Sequence, residues 1–195
     1  MRIISGKYKG RKINSKIPTG IRPTQDAMRE TIFNILNNYI DFDNLIVADL
    51  CAGTGMLGLE ALSRGDNFVY FVDKTRKAIE YIYNSIEMLN ISDANYKLNN
   101  LDALQFLNHI NYQNTNTDNQ ILFDMIFLDP PYNTNIVNKA LEIINETNNI
   151  MKKNGIIIAE TSIHSSLIIS DNFEIITERQ FGAAKVSFIK QRILT

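Results

Sequence analysis

Short apolar runs alternate with longer amphipathic stretches along most of this chain, and that alternation limits the fold more than any other feature. Apolar runs at 45–50, 68–72, 125–128 and 156–159, with a weaker one at 96–98, are separated by segments of helical spacing at 56–64, 75–90, 103–110 and 136–151. A strand buried on both faces reads as an unbroken apolar run, and strand–helix alternation implies crossover connections between parallel strands. The expected fold class is α/β, a doubly wound, Rossmann-like and mostly parallel sheet. Two final strand-like segments, 173–177 and 186–190, have no helix between them. They predict an antiparallel C-terminal hairpin. The Asn-, Gln- and Thr-rich run from Tyr112 to Gln120 reads as a loop.

The chain has 195 residues, 45% of them hydrophobic, which is enough to bury a sizeable core. No apolar run approaches the roughly 20 residues of a membrane helix, and residues 1–20 lack the apolar core of a secretion signal. A cytoplasmic protein with no membrane partner is expected. One cysteine and two separated histidines, His109 and His164, form no metal-ligand pattern, so no metal is expected.

Charge is distributed unevenly. Arg2, Lys7, Lys9, Arg11, Lys12, Lys16 and Arg22 all precede the first acid, Asp26, although the chain carries 20 cations and 21 acids in total. A basic arm on an acidic body points to a polyanion, and Lys7, Lys9, Arg11, Lys12 and Arg22 are the candidate nucleic-acid contacts. Gly6, Tyr8 and Gly10 between them suggest a structured hairpin with one or two short strands within 1–17. Thr24, just after Pro23, is a suitable N-cap for a helix from Gln25 to about Tyr39. Residues 1–40 read as an extension of one domain whose body is 41–195.

Two motifs carry chemistry. Asp49-Leu50-Cys51-Ala52-Gly53-Thr54-Gly55-Met56-Leu57-Gly58 joins the first buried strand to its helix and contains G-x-G-x-x-G, with Asp73 twenty residues beyond Gly53. Gly53 and Gly55 let backbone approach a nucleoside-type cofactor, and Asp73 can accept from ribose hydroxyls. Asp49 would repel a pyrophosphate at the helix N-terminus, which disfavours a dinucleotide and its oxidoreductase chemistry. It suits S-adenosylmethionine, whose sulfonium and ammonium groups are cationic. Asp102, after the third strand, is placed to accept from an adenine amine. The second motif, Asp129-Pro130-Pro131-Tyr132, follows the strand at 125–128. Prolines cannot continue a ladder, so the backbone must leave the sheet at its carboxyl edge. If the Asp129 carboxylate and the Pro130 carbonyl accept from an exocyclic amine, its nitrogen can pyramidalise and aim a lone pair at a methyl group, with Tyr132 stacked on the base.

The glycine loop, Asp73, Asp102 and the tetrad, in that order, resemble a class I S-adenosylmethionine-dependent amino-methyltransferase. The flanks narrow the likeness. Arg2-Ile3-Ile4-Ser5-Gly6, Lys9-Gly10-Arg11-Lys12, Arg22-Pro23-Thr24, Arg29-Glu30-Thr31-Ile32-Phe33-Asn34, the segment from Gly58 to Gly65 and Phe181-Gly182 closely resemble the RsmD family, with departures at Ala27-Met28 and Cys51. The resemblance implies a Rossmann-like methyltransferase fold with an N-terminal hairpin and helix beside the cofactor cleft, Thr24 among the cofactor residues, and Asp129, Pro130 and Tyr132 as the catalytic set. It also implies methylation of a guanine amine in 16S rRNA, the partner being a partly assembled small subunit. The tetrad alone serves guanine or adenine, so an adenine amino-methyltransferase on RNA or DNA stays open. A ribosome-assembly RNA-binding factor is the reading from another class. A chain of this length leaves no room for a separate DNA-recognition domain, which favours structured RNA.

Overall fold

The computed structural model describes residues 1–13, 26–132, 134–147 and 149–192, in two compact units, Met1–Asn100 and Leu101–Thr195. Lys16, Arg22 and Thr24, with the expected helix cap, lie outside the described residues.

In the first unit, β1 (Ile46–Leu50), β2 (Phe68–Val72) and β3 (Tyr96–Asn99) run parallel in the order β3-β2-β1, with Ile46 opposite Phe68 and Val69 opposite Tyr96. Val47, Ala48 and Leu50, and Val69, Phe71 and Val72, are fully buried. This is why these runs read as continuous apolar stretches. Helices α1 (Asp26–Leu36), α2 (Met56–Arg64) and α3 (Arg76–Leu89) supply the amphipathic segments. α3 starts after Thr75 and stops at Asn90, which adopts a left-handed conformation (φ 54°) and donates its backbone N–H to Ile86 and Glu87 carbonyls. Asparagine tolerates that conformation better than most residues.

The N-terminal arm closes as the expected short hairpin. Ile3 N–H donates to the Arg11 carbonyl at 3.0 Å, Gly10 N–H to the Ile3 carbonyl at 2.9 Å and Ile13 N–H to the Met1 carbonyl at 3.0 Å, around an antiparallel bridge of Arg2 with Lys12. The arm is also fixed onto α2. The Glu60 side chain, fully buried, accepts the Ile4 N–H at 2.8 Å and the Ser5 N–H at 3.0 Å. It also meets Arg64 at 3.0 Å and the fully buried Arg29 of α1 at 3.6 Å. Gly6 lies so close to the Ser63 carbonyl that a Cβ would sit 1.7 Å from its oxygen, and its φ of +79° disfavours a side chain as well. The motifs around Gly6 and Glu60 therefore meet as one lock. Removing one member of such a buried charge cluster costs about 3–5 kcal/mol, because the remaining charges are stranded.

In the second unit, α4 (Ala103–Asn116), β4 (Phe123–Leu128), α5 (Ile136–Thr147) and β5 (Met151–Ser162) precede the hairpin of β6 (Phe173–Phe181) and β7 (Ala184–Gln191). β5 pairs parallel with β4, while β7 is antiparallel to both β5 and β6. The expected terminal hairpin is present and longer than its apolar core. Two boundaries differ from expectation. α4 continues through Tyr112–Asn116 because buried Asn114 ties its amide to the Ile121 and Asn149 carbonyls, at 2.7 and 2.6 Å. α5 stops at Thr147, and β5 begins at Met151, so Lys152–Asn154 form an exposed start to a strand that sequence reading places at Ile156. Among the described residues, no helix is long and apolar enough to cross a membrane.

Candidate active site

In the first unit the glycine loop leaves the carboxyl end of β1 and is tied to the end of β2. The Ala52 N–H donates to the Val72 carbonyl at 2.9 Å, and the Gly53 N–H to Asp73 Oδ2 at 3.0 Å. Asp73 Oδ1 accepts both the backbone N–H and the hydroxyl of Thr75 at 2.8 Å. Gly55, the N-cap of α2, has φ +70° and offers no side-chain cap. The first turn of any helix leaves backbone N–H groups unsatisfied. Here Asp49 reaches one of them, accepting the Gly58 N–H through Oδ2 at 2.9 Å.

Asp49 is the group with the most altered chemistry. It is 1% exposed, and burial pushes its carboxyl up to about 7, the Gly58 N–H opposing the shift and the nearby Asp73 charge adding to it. A buried carboxylate in this condition gains from a cation brought against it. The loop therefore fits a cofactor that is cationic near its reacting centre, and Asp73 at the strand end fits the ribose role, since each carboxylate oxygen can accept more than one bond.

In the second unit Asp102 caps α4, its Oδ1 accepting the Leu104 N–H at 2.9 Å. This is the strand-end role that competes with adenine contact, and it occupies one of the two oxygens. The tetrad follows β4 as expected: Asp129 is half-buried, Pro130 buried, Pro131 exposed and Tyr132 half-buried. The Tyr132 hydroxyl donates to Glu160 Oε1 at 2.6 Å. A cavity of about 220 Å³ opens beside the tetrad, lined by Pro130, Pro131, Tyr132, Glu160 and Thr161 among others.

Of the arm cations, Lys7, Lys9 and Lys12 are exposed, with Lys7 Nζ 5.5 Å from the Tyr8 ring centre. Arg11 instead donates to the Met88 and Leu89 carbonyls. It caps the negative end of α3, a structural duty that sequence charge alone does not reveal.

Residues 1–190 match the family model described as conserved hypothetical protein 95. The chain belongs to this family. Its members include the ribosomal RNA small subunit methyltransferase D of Haemophilus influenzae, 34% identical over 182 residues, covering 93% of this chain and 89% of that one, so the RsmD resemblance holds. A solved structure from Haemophilus influenzae, provisionally called a methylase, superposes with a TM-score of 0.76 at 30% identity over 97% of each chain. A further methyltransferase-like structure, SMU.776 complexed with SAH, shares the fold at a TM-score of 0.66 and 19% identity, covering 83% of this chain and 49% of that one. The fold class is the Rossmann-like α/β fold of methyltransferases, with a mostly parallel set of strands and an antiparallel end.

Three residues that shape these regions escape the residue-by-residue reading of the sequence: Glu60, Arg29 and Glu160. The first two join segments far apart in sequence, which no spacing exposes. Glu160 did leave a signal. It stands at the end of the apolar run 156–159, as Asp49, Asp73 and Asp129 stand at or beside the ends of theirs.

Proposed function

We propose that this chain transfers a methyl group from S-adenosylmethionine to the exocyclic amine of a guanine in small-subunit ribosomal RNA. The observation that carries the reading is the tetrad at the carboxyl end of buried β4 with its tyrosine anchored on Glu160. The relatives named as ribosomal RNA small subunit methyltransferases support its methyl-transfer and RNA parts.

The cofactor supplies an electrophilic methyl on a sulfonium and departs as S-adenosylhomocysteine, the SAH held by the SMU.776 structure. Asp49 offers its negative charge to the cationic end of that group, Asp73 accepts from the ribose hydroxyls, and Gly53 and Gly55 allow close backbone approach. Asp102 offers its second oxygen to the adenine amine. Asp129 and the Pro130 carbonyl accept the two N–H bonds of the target amine, which frees its lone pair for in-line attack. The N–C bond forms as the S–C bond breaks, and the extra proton leaves the nitrogen to Asp129 or water. Tyr132 stacks on a base turned out of its helix, at a cost of a few kcal/mol offset by stacking of about 1–3 kcal/mol. Lys7, Lys9 and Lys12, with Arg22, supply sequence-independent contacts to RNA phosphates, while Arg11 is engaged by the end of α3. A partly assembled subunit is the proposed partner and the cytoplasm the proposed location, with no metal required. The arm, 1–40, serves RNA while 41–195 carries the chemistry.

The test is nucleoside mass spectrometry of unmodified small-subunit RNA and of subunits after incubation with the protein and labelled S-adenosylmethionine. Labelled N2-methylguanosine is expected. Labelled methyladenosine would move the assignment to the other base, and no label in either substrate would overturn it.

A further inference from the structure

We infer that Glu160 reads the hydrogen-bonding edge of the target base, accepting the N1–H that guanine carries and adenine lacks. The inference rests on the amine-methylation reading above and adds to it the residue that sets base identity.

Four observations support it, all within the second unit. β4 and β5 are parallel and in register with Leu128 opposite Ala159, so the next residues, Asp129 and Glu160, stand at the same level on neighbouring chain segments. Glu160 is 8% exposed, yet it lines the cavity beside the tetrad together with Pro130 and Tyr132. Its Oε1 holds the Tyr132 hydroxyl at 2.6 Å, and among the described residues no donor meets its Oε2. Thr161, next along β5 and 7% exposed, lines the same cavity.

A carboxylate oxygen at a cavity wall with no protein donor is open to an N–H that a ligand brings to it. Guanine presents, in order along one edge, the N2 amine, the N1–H donor and the O6 acceptor. Asp129 and Pro130 take the amine, and the Glu160 carboxylate takes N1–H. Adenine offers an unprotonated N1, whose lone pair would face the carboxylate with no hydrogen between them. Sites built to bond an N–H reject an analogue lacking it far more strongly than apolar pockets reject a change of size.

The experiment compares RNA carrying the methylated guanosine with the same RNA in which that position is 2-aminopurine, a base that keeps the 2-amine but has an unprotonated N1. Wild-type kcat/KM should fall at least 10-fold, and about 100-fold if the full buried bond is lost. Glu160→Gln keeps an acceptor for Tyr132 and presents an amide donor to N1, so it should lose activity on guanine while gaining on 2-aminopurine, shrinking or reversing the ratio. Equal wild-type use of the two RNAs would overturn the inference without needing any variant to fold. So would a Glu160→Gln enzyme slowed by the same factor on both, since that is what a purely structural role through Tyr132 predicts. Failure of the wild-type enzyme on the guanosine RNA would count against the amine-methylation reading itself.

Discussion

The glycine loop and the Asp-Pro-Pro-Tyr tetrad each leave the carboxyl end of a buried strand, yet they are held in place by different means. The loop is held through its backbone: Ala52, Gly53 and Gly58 all donate N–H bonds, to Val72, Asp73 and Asp49 in turn. The tetrad contains two prolines, which have no N–H to give. Its Tyr132 hydroxyl donates to the Glu160 side chain, and its Pro131 carbonyl accepts the Thr134 hydroxyl. The proposed cofactor loop is held by main-chain N–H donors, two of which meet aspartate carboxylates. The proposed base site offers side chains that can be exchanged one at a time, and substitutions in the two places should separate binding of cofactor from transfer.

The largest expected effect falls on the tetrad. Asp129→Ala should slow methyl transfer about 10²–10³-fold in single-turnover assays, in line with loss of one preorganised polar contact. Its cofactor affinity by calorimetry should stay within a few-fold of wild type. Equal loss of both would break the distinction between the two regions.

The loop should answer to pH. Folding raises the Asp49 carboxyl from 3.8 to about 7, so between those values the folded state holds a proton that the unfolded state has released. Stability of the cofactor-free protein should therefore fall as pH rises from about 4 to 7, by an amount on the order of a few kcal/mol. Asp49→Asn should flatten that slope in urea unfolding measured across the window. Affinity for cationic S-adenosylmethionine should run the other way, strengthening as pH rises through about 7 and Asp49 ionises.

A smaller effect is expected at Tyr132→Phe, which keeps the stacking ring and loses the bond to Glu160. Transfer should slow about 10-fold, the worth of a hydrogen bond to a charged acceptor, with the thermal midpoint little changed. The smallest effect on chemistry belongs to the arm. Replacing exposed Lys7, Lys9 and Lys12 by Ala should weaken RNA binding and lower the slope of log affinity against log salt by about 2. Turnover at saturating RNA should be unchanged. An unaltered salt slope would remove these lysines from the RNA contact.

The sequence exposes the features that depend on neighbouring residues. Strands β1, β2 and β4 are mostly apolar runs, broken only by Asp49 in β1 and Asp124 in β4, each followed at once or nearly so by an acid or a glycine loop, and this pattern needs no tertiary knowledge. The features that stay hidden depend on distant partners. Tyr112–Asn116 has the composition of a loop, and it is helical because Asn114 finds carbonyls at Ile121 and Asn149. The arm alternates like a hairpin and closes as one, yet the N–H groups of Ile4 and Ser5 go to Glu60, more than fifty residues away. Arg11 looks like an RNA contact by charge, while its guanidinium is engaged by the end of α3. In each case a tertiary hydrogen bond supplements or overrides the local tendency.

The most direct test of methyl transfer to guanine uses small-subunit RNA from cells lacking this chain, mapped by nucleoside-resolved mass spectrometry, with the same cells complemented by the wild-type or the Asp129→Ala protein. One N2-methylguanosine should be missing from the deletion, return with the wild type and stay absent with Asp129→Ala. An unchanged set of modifications in the deletion, or restoration by Asp129→Ala, would contradict the account.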